Sequence, residues 1–410
     1  MPAIEFPAEL QKSIQESGPV DLVVGITGTA ELDALRAKTR VSLNGTSART
    51  VIAFAGDGAP QAITSSEERV RFATYPMPSV GSSLAIWADV SAAQRSILAL
   101  AAAWQARACV VIHGDLAALD AETIRLLTDP ALQGQCDLVM PDYPHGKYEG
   151  LMNKGILAPL SRALYGKRLH FPLAGEFCAG ANVLMKLAED GGARDRNEQQ
   201  LLWPANAVAI SGGRLGAAAV NVRHAAQADN VELSAVLSEF AGSLFQEAEV
   251  CAAQWQRVRG SQPVPHYGNL IFPQADEHAV DPKPMVESFV FGSRNLEEVW
   301  RLVLPPATML ELKRLARLNA EQFRMPDALW ARIIYDFALA HRMRRVSRSH
   351  VLGALTPLYL GWVASYTQEV RGATAQEADQ RIEQLARAYE EQKPYFVSRW
   401  RWPERVADGG

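Results

Sequence analysis

Cysteine is scarce in this chain. Its four cysteines, Cys109, Cys136, Cys178 and Cys251, form no CxxC pair, and Cys109 falls inside an apolar run. That gives no disulfide framework, and a reduced, cytoplasmic protein is the expectation. Long hydrophobic runs are also missing. No stretch reaches the ~18 apolar residues of a spanning helix, and no basic n-region precedes an apolar core at the start. No membrane association is expected. Neither sign of charge dominates, since 41 Lys and Arg stand against 45 Asp and Glu for a net charge of -4. A broad pull toward nucleic acid or anionic lipid is therefore not expected. There is no GxGxxG, no Walker lysine and no short repeat. What is present is an ordinary globular composition, 48% hydrophobic and 21% charged over 410 residues. That length allows two or three domains with real cores.

In chain order, residues 1–18 read as a leading segment or short helix. Val20 to Ile26 is a buried strand, and its end, Thr27-Gly28-Thr29, turns into a helix near Glu31. A strand, a glycine turn and a helix start together offer backbone N–H groups to an anion. Thr50 to Gly56 is a second strand closing on Asp57-Gly58, which is also what a plain turn would look like. Residues 59–90 have little pattern, with YPMPSVGSS a loop, and Ser91 to Ala106 is an Ala- and Leu-rich helix. It delivers the chain to Ala108-Cys109-Val110-Val111-Ile112, a buried strand that ends in His113-Gly114-Asp115. A helix from Asp120 to Leu127 follows, with Asp120 as N-cap and Glu122 in its first turn. Asp137 to Met140 is the next buried strand, ending in Pro141-Asp142-Tyr143. Alternating strands and helices argue for a mostly parallel sheet, whose strand ends converge on polar loops where such sheets place ligands.

Beyond Phe177 a helix is expected after the glycine turn at Gly180, then a loop from Gly191 to Asn197. Glu198 to Gly212 reads as a helix kinked or divided at Pro204, and Ala217 to Val222 as a short strand ending in Arg223-His224. A helix from Val231 to Arg259 closes the first domain, and SQPVPHYGN and DPKP form a proline-rich connector. From Asn295 the pattern is helical: Leu296–Val303, Met309–Arg324, Asp327–Arg344, Ser349–Gln368 and Thr374–Gln392. The spans are thus 1–260, 261–290 and 291–410.

The segment DLVMPDYPHGKYEGLMNKGILAPLSRALYGKRLHFPLAGEF resembles one shared by glucosylglycerate, mannosylglycerate and glucosyl-3-phosphoglycerate synthases. PLSRA followed by LYGKR carries most of that resemblance, and PLYLGWVAS and KPYFVSRWRW are similar to the helical tail of bacterial relatives. The resemblance implies a retaining glycosyltransferase of α/β class. Its catalytic domain would be a GT-A (Rossmann-like, mostly parallel) sheet, followed by a C-terminal all-helical subdomain.

Several site assignments follow from the resemblance. Gly25, Thr27, Asp57, Asp115 and Arg162 would hold the nucleotide sugar. Lys147, Tyr148, Asn153 and Arg168 would hold a small acid acceptor such as glycerate. Lys147, Asn153 and Glu176 would orient the reacting groups, and a lysine in a Gly-flanked loop has little structural work otherwise. Arg162 and Arg168 have an alternative reading as pins between their helix and nearby carboxylates. Enzymes of this fold offset the charge of the leaving diphosphate with a divalent cation on an Asp-x-Asp element. Here that element is His113-Gly114-Asp115, so Asp115 and His224, with His113, would ligate Mn²⁺ or Mg²⁺. A set of one carboxylate and up to two imidazoles suits Mn²⁺, Zn²⁺ or Co²⁺ better than Mg²⁺. A strand-end histidine that binds no metal is the other reading.

The expected function is transfer of a hexose from a UDP-glucose- or GDP-mannose-type donor to a small polar acceptor. The alternative is a catalytically impaired scaffold that binds nucleotide sugar or acts as a partner subunit. A nucleotidyltransferase would need a Gly/Lys-rich loop after the first strand, and TGTAELDAL is not one. Density of Trp, Tyr and Leu in the tail suggests a homodimer or higher oligomer built by its helices.

Overall fold

The computed structural model describes residues 12, 18, 20–27, 49–55, 70–75, 86–113, 120–190, 201–222, 232–272 and 280–402. Two compact units emerge. The sheet unit comprises Met1–Pro144, Phe171–Ala226 and Pro263–Ile271; the helical unit comprises His145–His170, Gln227–Gln262 and Phe272–Gly410.

The sheet unit is built on eight strands: β1 (Leu22–Thr27), β2 (Thr50–Ala55), β3 (Val70–Tyr75), β4 (Ala108–His113), β5 (Leu138–Asp142), β6 (Phe177–Gly180), β7 (Leu215–Ala219) and β8 (His266–Tyr267). Their order across the sheet is β8-β7-β5-β6-β4-β1-β2-β3. Every pairing is parallel except those of β6, which runs antiparallel to β4 and β5. β1 and β5 are buried along their whole length, as is β4 up to its last residue. Continuous apolar runs of this kind are what a parallel sheet covered on both faces requires. This is the expected α/β arrangement with a mostly parallel sheet, and the expected helical C-terminal region is also present.

Helix α1 (Ile86–Ala103) covers β1 so closely that a Cβ on Gly25 would lie 2.1 Å from Ile97 Cγ2. Asp120 caps α2 (Ala121–Leu132), accepting from Thr123 N at 2.7 Å as its position in the sequence suggests. Three elements differ from the sequence reading. β3 lies in a stretch that looked patternless. β6 was read as turn and helix start, because four residues, Phe-Cys-Ala-Gly, give too short a run to show a period. The helix expected from Glu198 instead runs Pro204–Ile210, with Pro204 in its first turn where a missing N–H costs nothing.

In the helical unit the segment after Pro144 enters a π-helix at Asn153–Leu157, continued by α-helix Ala158–Tyr165. The wider π turn leaves the Gly155 carbonyl to accept from Trp330 Nε1 at 2.8 Å and Tyr389 OH at 2.9 Å. The tail helices are Lys283–Asn295, Glu297–Val303, Pro306–Leu315, Asp327–Met343, Arg348–Glu369 and Ala375–Arg401. The first of these was taken from the sequence as connector. Its prolines, Pro282 and Pro284, are helix-start residues rather than linker. Helix Pro306–Leu315 stops well short of Arg324, whereas the last helix, opened by a Thr374/Glu377 capping box, outruns Gln392. Aromatic side chains stack inside this unit: Trp330 on Trp362 at 5.8 Å, Tyr335 on Phe396 at 4.5 Å, Trp255 on Phe396 at 4.9 Å. The tail's aromatic density is thus largely buried within one chain. Among the described residues, no helix is long and apolar enough to cross a membrane.

Candidate active site

In the sheet unit, β1 continues to β2 and β3 on one side, while β4 lies on the other. The chain order therefore reverses between β1 and β4, and in open α/β sheets ligands bind beyond the strand C-termini at such a reversal. The last residues of the two strands, Thr27 and His113, stand opposite each other in register there. Thr27 is fully buried, and its hydroxyl has no hydrogen-bond partner among the described residues. His113 is half-buried.

Behind His113 lies Glu176, which immediately precedes β6 and is fully buried. Its Oε1 accepts from the backbone N–H of His113 at 3.2 Å, and its Oε2 accepts from the Tyr143 hydroxyl. Burial pushes the Glu176 carboxyl above the usual carboxylate range, while the Tyr143 hydrogen bond and the nearby His113 pull the other way. The Tyr143 phenol is likewise raised, first by burial and then by Glu176. A sealed carboxylate cannot meet a substrate directly. It can fix the peptide of His113, from whose backbone N–H it accepts.

The same edge holds a second buried carboxylate. Asp142 ends β5, and its Oδ2 lies 3.2 Å from Nε2 of His266 on β8, whose Nδ1 lies 3.1 Å from the Gly268 carbonyl. Neither Tyr143 nor His266 was assigned a role from the sequence. The pointer to Tyr143 was its place directly after a strand end. His266 sat in a stretch taken for connector.

Of the other expected site residues, Gly25 lies mid-strand, bonded between β2 and β4, and its lack of a side chain makes room for Ile97. Asp57, Asp115 and His224 lie outside the described residues. The remaining five belong to the helical unit. Lys147 is buried, and its ammonium donates to the carbonyls of Arg371 at 2.9 Å and Ala373 at 3.2 Å, so it has structural work after all. Its charge also lies 5.1 Å from the centre of the Tyr148 ring. Arg162 pairs with Glu383 and Glu390 and donates to Ser261 Oγ at 3.1 Å. Arg168 also reaches Ser261 Oγ, at 3.0 Å. Asn153, the first residue of the π-helix, donates to the His170 carbonyl at 2.6 Å, and its Oδ1 is buried without a partner among the described residues. The structure thus brings Thr27, His113 and Glu176 to one edge. It gives Lys147, Arg162 and Arg168 fixed internal partners.

Among the described residues, no group of three or more His, Cys, Asp or Glu side chains could hold a metal ion. His113 alone of the three expected ligands is described. The described residues therefore do not by themselves fit a divalent cation.

Solved structures similar to this chain include glucosyl-3-phosphoglycerate synthase from Mycobacterium tuberculosis in complex with uridine diphosphate. That match has 15% identity and a TM-score of 0.35, covering 60% of this chain and 85% of the other. The enzyme in complex with phosphoglyceric acid matches at 16% identity and a TM-score of 0.34, covering 60% and 86%. Its complex with Mn²⁺ and UDP-glucose matches at 18% identity and a TM-score of 0.33, covering 60% and 82%. That enzyme belongs to the group the sequence segment resembles, but scores this low assign no role to any residue here. No protein-family model matches the chain, and no curated protein matches it.

Proposed function

We propose that this protein is a nucleotide-sugar-dependent hexosyltransferase, acting with retention on a small polar acceptor such as glycerate. The observation that carries the reading is the pairing of Thr27 with His113 at the chain reversal of a mostly parallel sheet, backed by the buried Glu176. The donor's diphosphate would lie beyond these strand ends, with Thr27 and Asp57 on the nucleoside side. Asp115 and His224, joined by His113, would ligate Mn²⁺ or Mg²⁺. Such an ion supplies positive charge against the leaving diphosphate. Glu176 holds His113 in place. Tyr148 and Asn153, whose Oδ1 has no partner among the described residues, are the proposed acceptor-binding residues. Lys147, Arg162 and Arg168 serve the helical unit first. Phe291, Leu302 and Leu310, all exposed, are where a homodimer would form.

Two observations favour a second reading: the histidine at the first position of the metal element, and the structural commitment of Lys147 and Arg162. On that reading the chain binds a nucleotide sugar without turning it over. Calorimetric titration of UDP, GDP and their sugars, with and without Mn²⁺, tests both readings. Asp115→Ala should abolish the metal-dependent part of binding. Diphosphate release in the presence of glycerate then separates transferase from binding scaffold. Equal, metal-independent affinity in wild type and Asp115→Ala would remove the cation from either reading.

A further inference from the structure

Helix α1 buries Gln94 at 1% exposure against the loop that leads into β6. Its side-chain amide donates to two consecutive carbonyls, those of Ala174 and Gly175, each at 3.1 Å. An amide in an apolar interior is costly unless its hydrogens are met, and here two backbone acceptors meet them. Successive residues of an extended strand face opposite ways. Two neighbouring carbonyls can therefore share one donor only where the chain bends, and it bends at Gly175. From the other side, a Cβ on Gly175 would lie 3.3 Å from His113 Cβ, closer than an ordinary contact. The loop is gripped between α1 and the end of β4, one residue before the carboxylate that accepts from His113 N. One turn earlier on α1, buried Ser91 accepts from Leu202 N at 3.1 Å and so holds a different loop.

We propose that Gln94 is a positioning residue. By holding the Ala174 and Gly175 carbonyls it fixes Glu176, and through Glu176 the His113 peptide, at the strand edge. Its consequence for ligand binding rests on the proposed function; its consequence for His113 does not.

The test compares full-length wild type, Gln94→Met and Ser91→Ala by residue-resolved amide hydrogen exchange and by nucleoside diphosphate titration. Gln94→Met keeps the length of the side chain and removes both donors. The His113 amide should exchange at least about tenfold faster in it, while those of Cys109 to Val111 stay within about twofold. Ser91→Ala should leave His113 within about twofold of wild type. Diphosphate affinity should fall several-fold in Gln94→Met alone. Unchanged exchange at His113, or equal acceleration along all of β4, would overturn the proposal. Should Gln94→Met not fold, Gln94→Asn, whose donors sit one methylene short, takes its place with the same two outcomes. A wild type that binds no nucleotide removes the functional reading and leaves the exchange result standing.

Discussion

Buried polar groups are handled differently in the two units. In the helical unit three buried cations are tied to fixed partners. Arg162 faces two carboxylates and a serine, Lys147 two carbonyls, and Lys393 the carbonyls of Leu164 and Val258. At the sheet edge the buried polar groups are a hydroxyl and a carboxyl placed at strand ends. Thr27 keeps an unmet hydroxyl among the described residues, and Glu176 keeps a carboxyl pushed upward by burial. Buried cations tied to fixed partners organise a fold, whereas an unmet hydroxyl at a strand end is a group that a ligand could satisfy. The same sequence segment feeds both arrangements, since Tyr143 ends in one and Lys147 in the other.

The largest expected effect probes the helical side. Asp336 is 1% exposed, accepts from Tyr395 OH at 2.9 Å on both oxygens, and pairs with Arg399 at 2.9 Å. Burial still raises its pKa to about 7, against the pull of Arg399. A carboxyl raised above its unfolded value contributes fully below about pH 4, and that contribution is lost as pH climbs to about 7. Urea unfolding should therefore show stability falling by as much as about 4 kcal/mol across that window. Asp336→Asn should flatten the slope. A slope that survives the substitution would show that complete partners had already neutralised the cost.

Next comes a pair of substitutions that sets the two regions directly against each other. Glu176→Leu strands the Tyr143 hydroxyl and the His113 amide, so about 2–3 kcal/mol of stability should go, with nucleotide affinity falling at least about tenfold. Arg162→Met should cost about 2 kcal/mol, less than a fully buried pair because Glu383 faces solvent, and should leave nucleotide affinity within about twofold. Equal losses of affinity in both would erase the distinction. The smallest effect is alkaline. Burial, with Arg259 nearby, lowers the Lys393 pKa to about 8. Because the unfolded chain holds that proton up to about pH 10.5, stability should rise between the two values. Lys393→Met should remove the rise in a chemical-denaturation series over that range.

Much of the sheet was legible because burial on both faces writes itself as apolar runs. LVVGIT and ACVVIH could be little else. β6 was not, because Phe177–Gly180 earns its strand only by antiparallel pairing with β4 and β5, a long-range fact. Prolines misled twice in the same way, as Pro204 and Pro282 start helices that were read through or missed. In the site, His113 stood out by residue type and by its place at a strand end, whereas Glu176 was marked only by the resemblance. Lys147 looked free only because its acceptors, Arg371 and Ala373, lie more than two hundred residues away in sequence. Gln94 carried no signal that residue type or spacing could supply, and Tyr143 only its place after a strand end, since both act through partners brought near by the sheet and its covering helix.

The most direct measurement is a thermal-denaturation panel of nucleoside diphosphates and sugar nucleotides, each with Mn²⁺, with Mg²⁺ and with chelator. If the β1/β4 edge binds a nucleotide sugar, UDP or GDP at a hundredfold excess over its dissociation constant should stabilise the fold by about 2.7 kcal/mol. The melting temperature should rise, and more with Mn²⁺ than with chelator. No shift with any nucleotide under any metal condition would contradict the account.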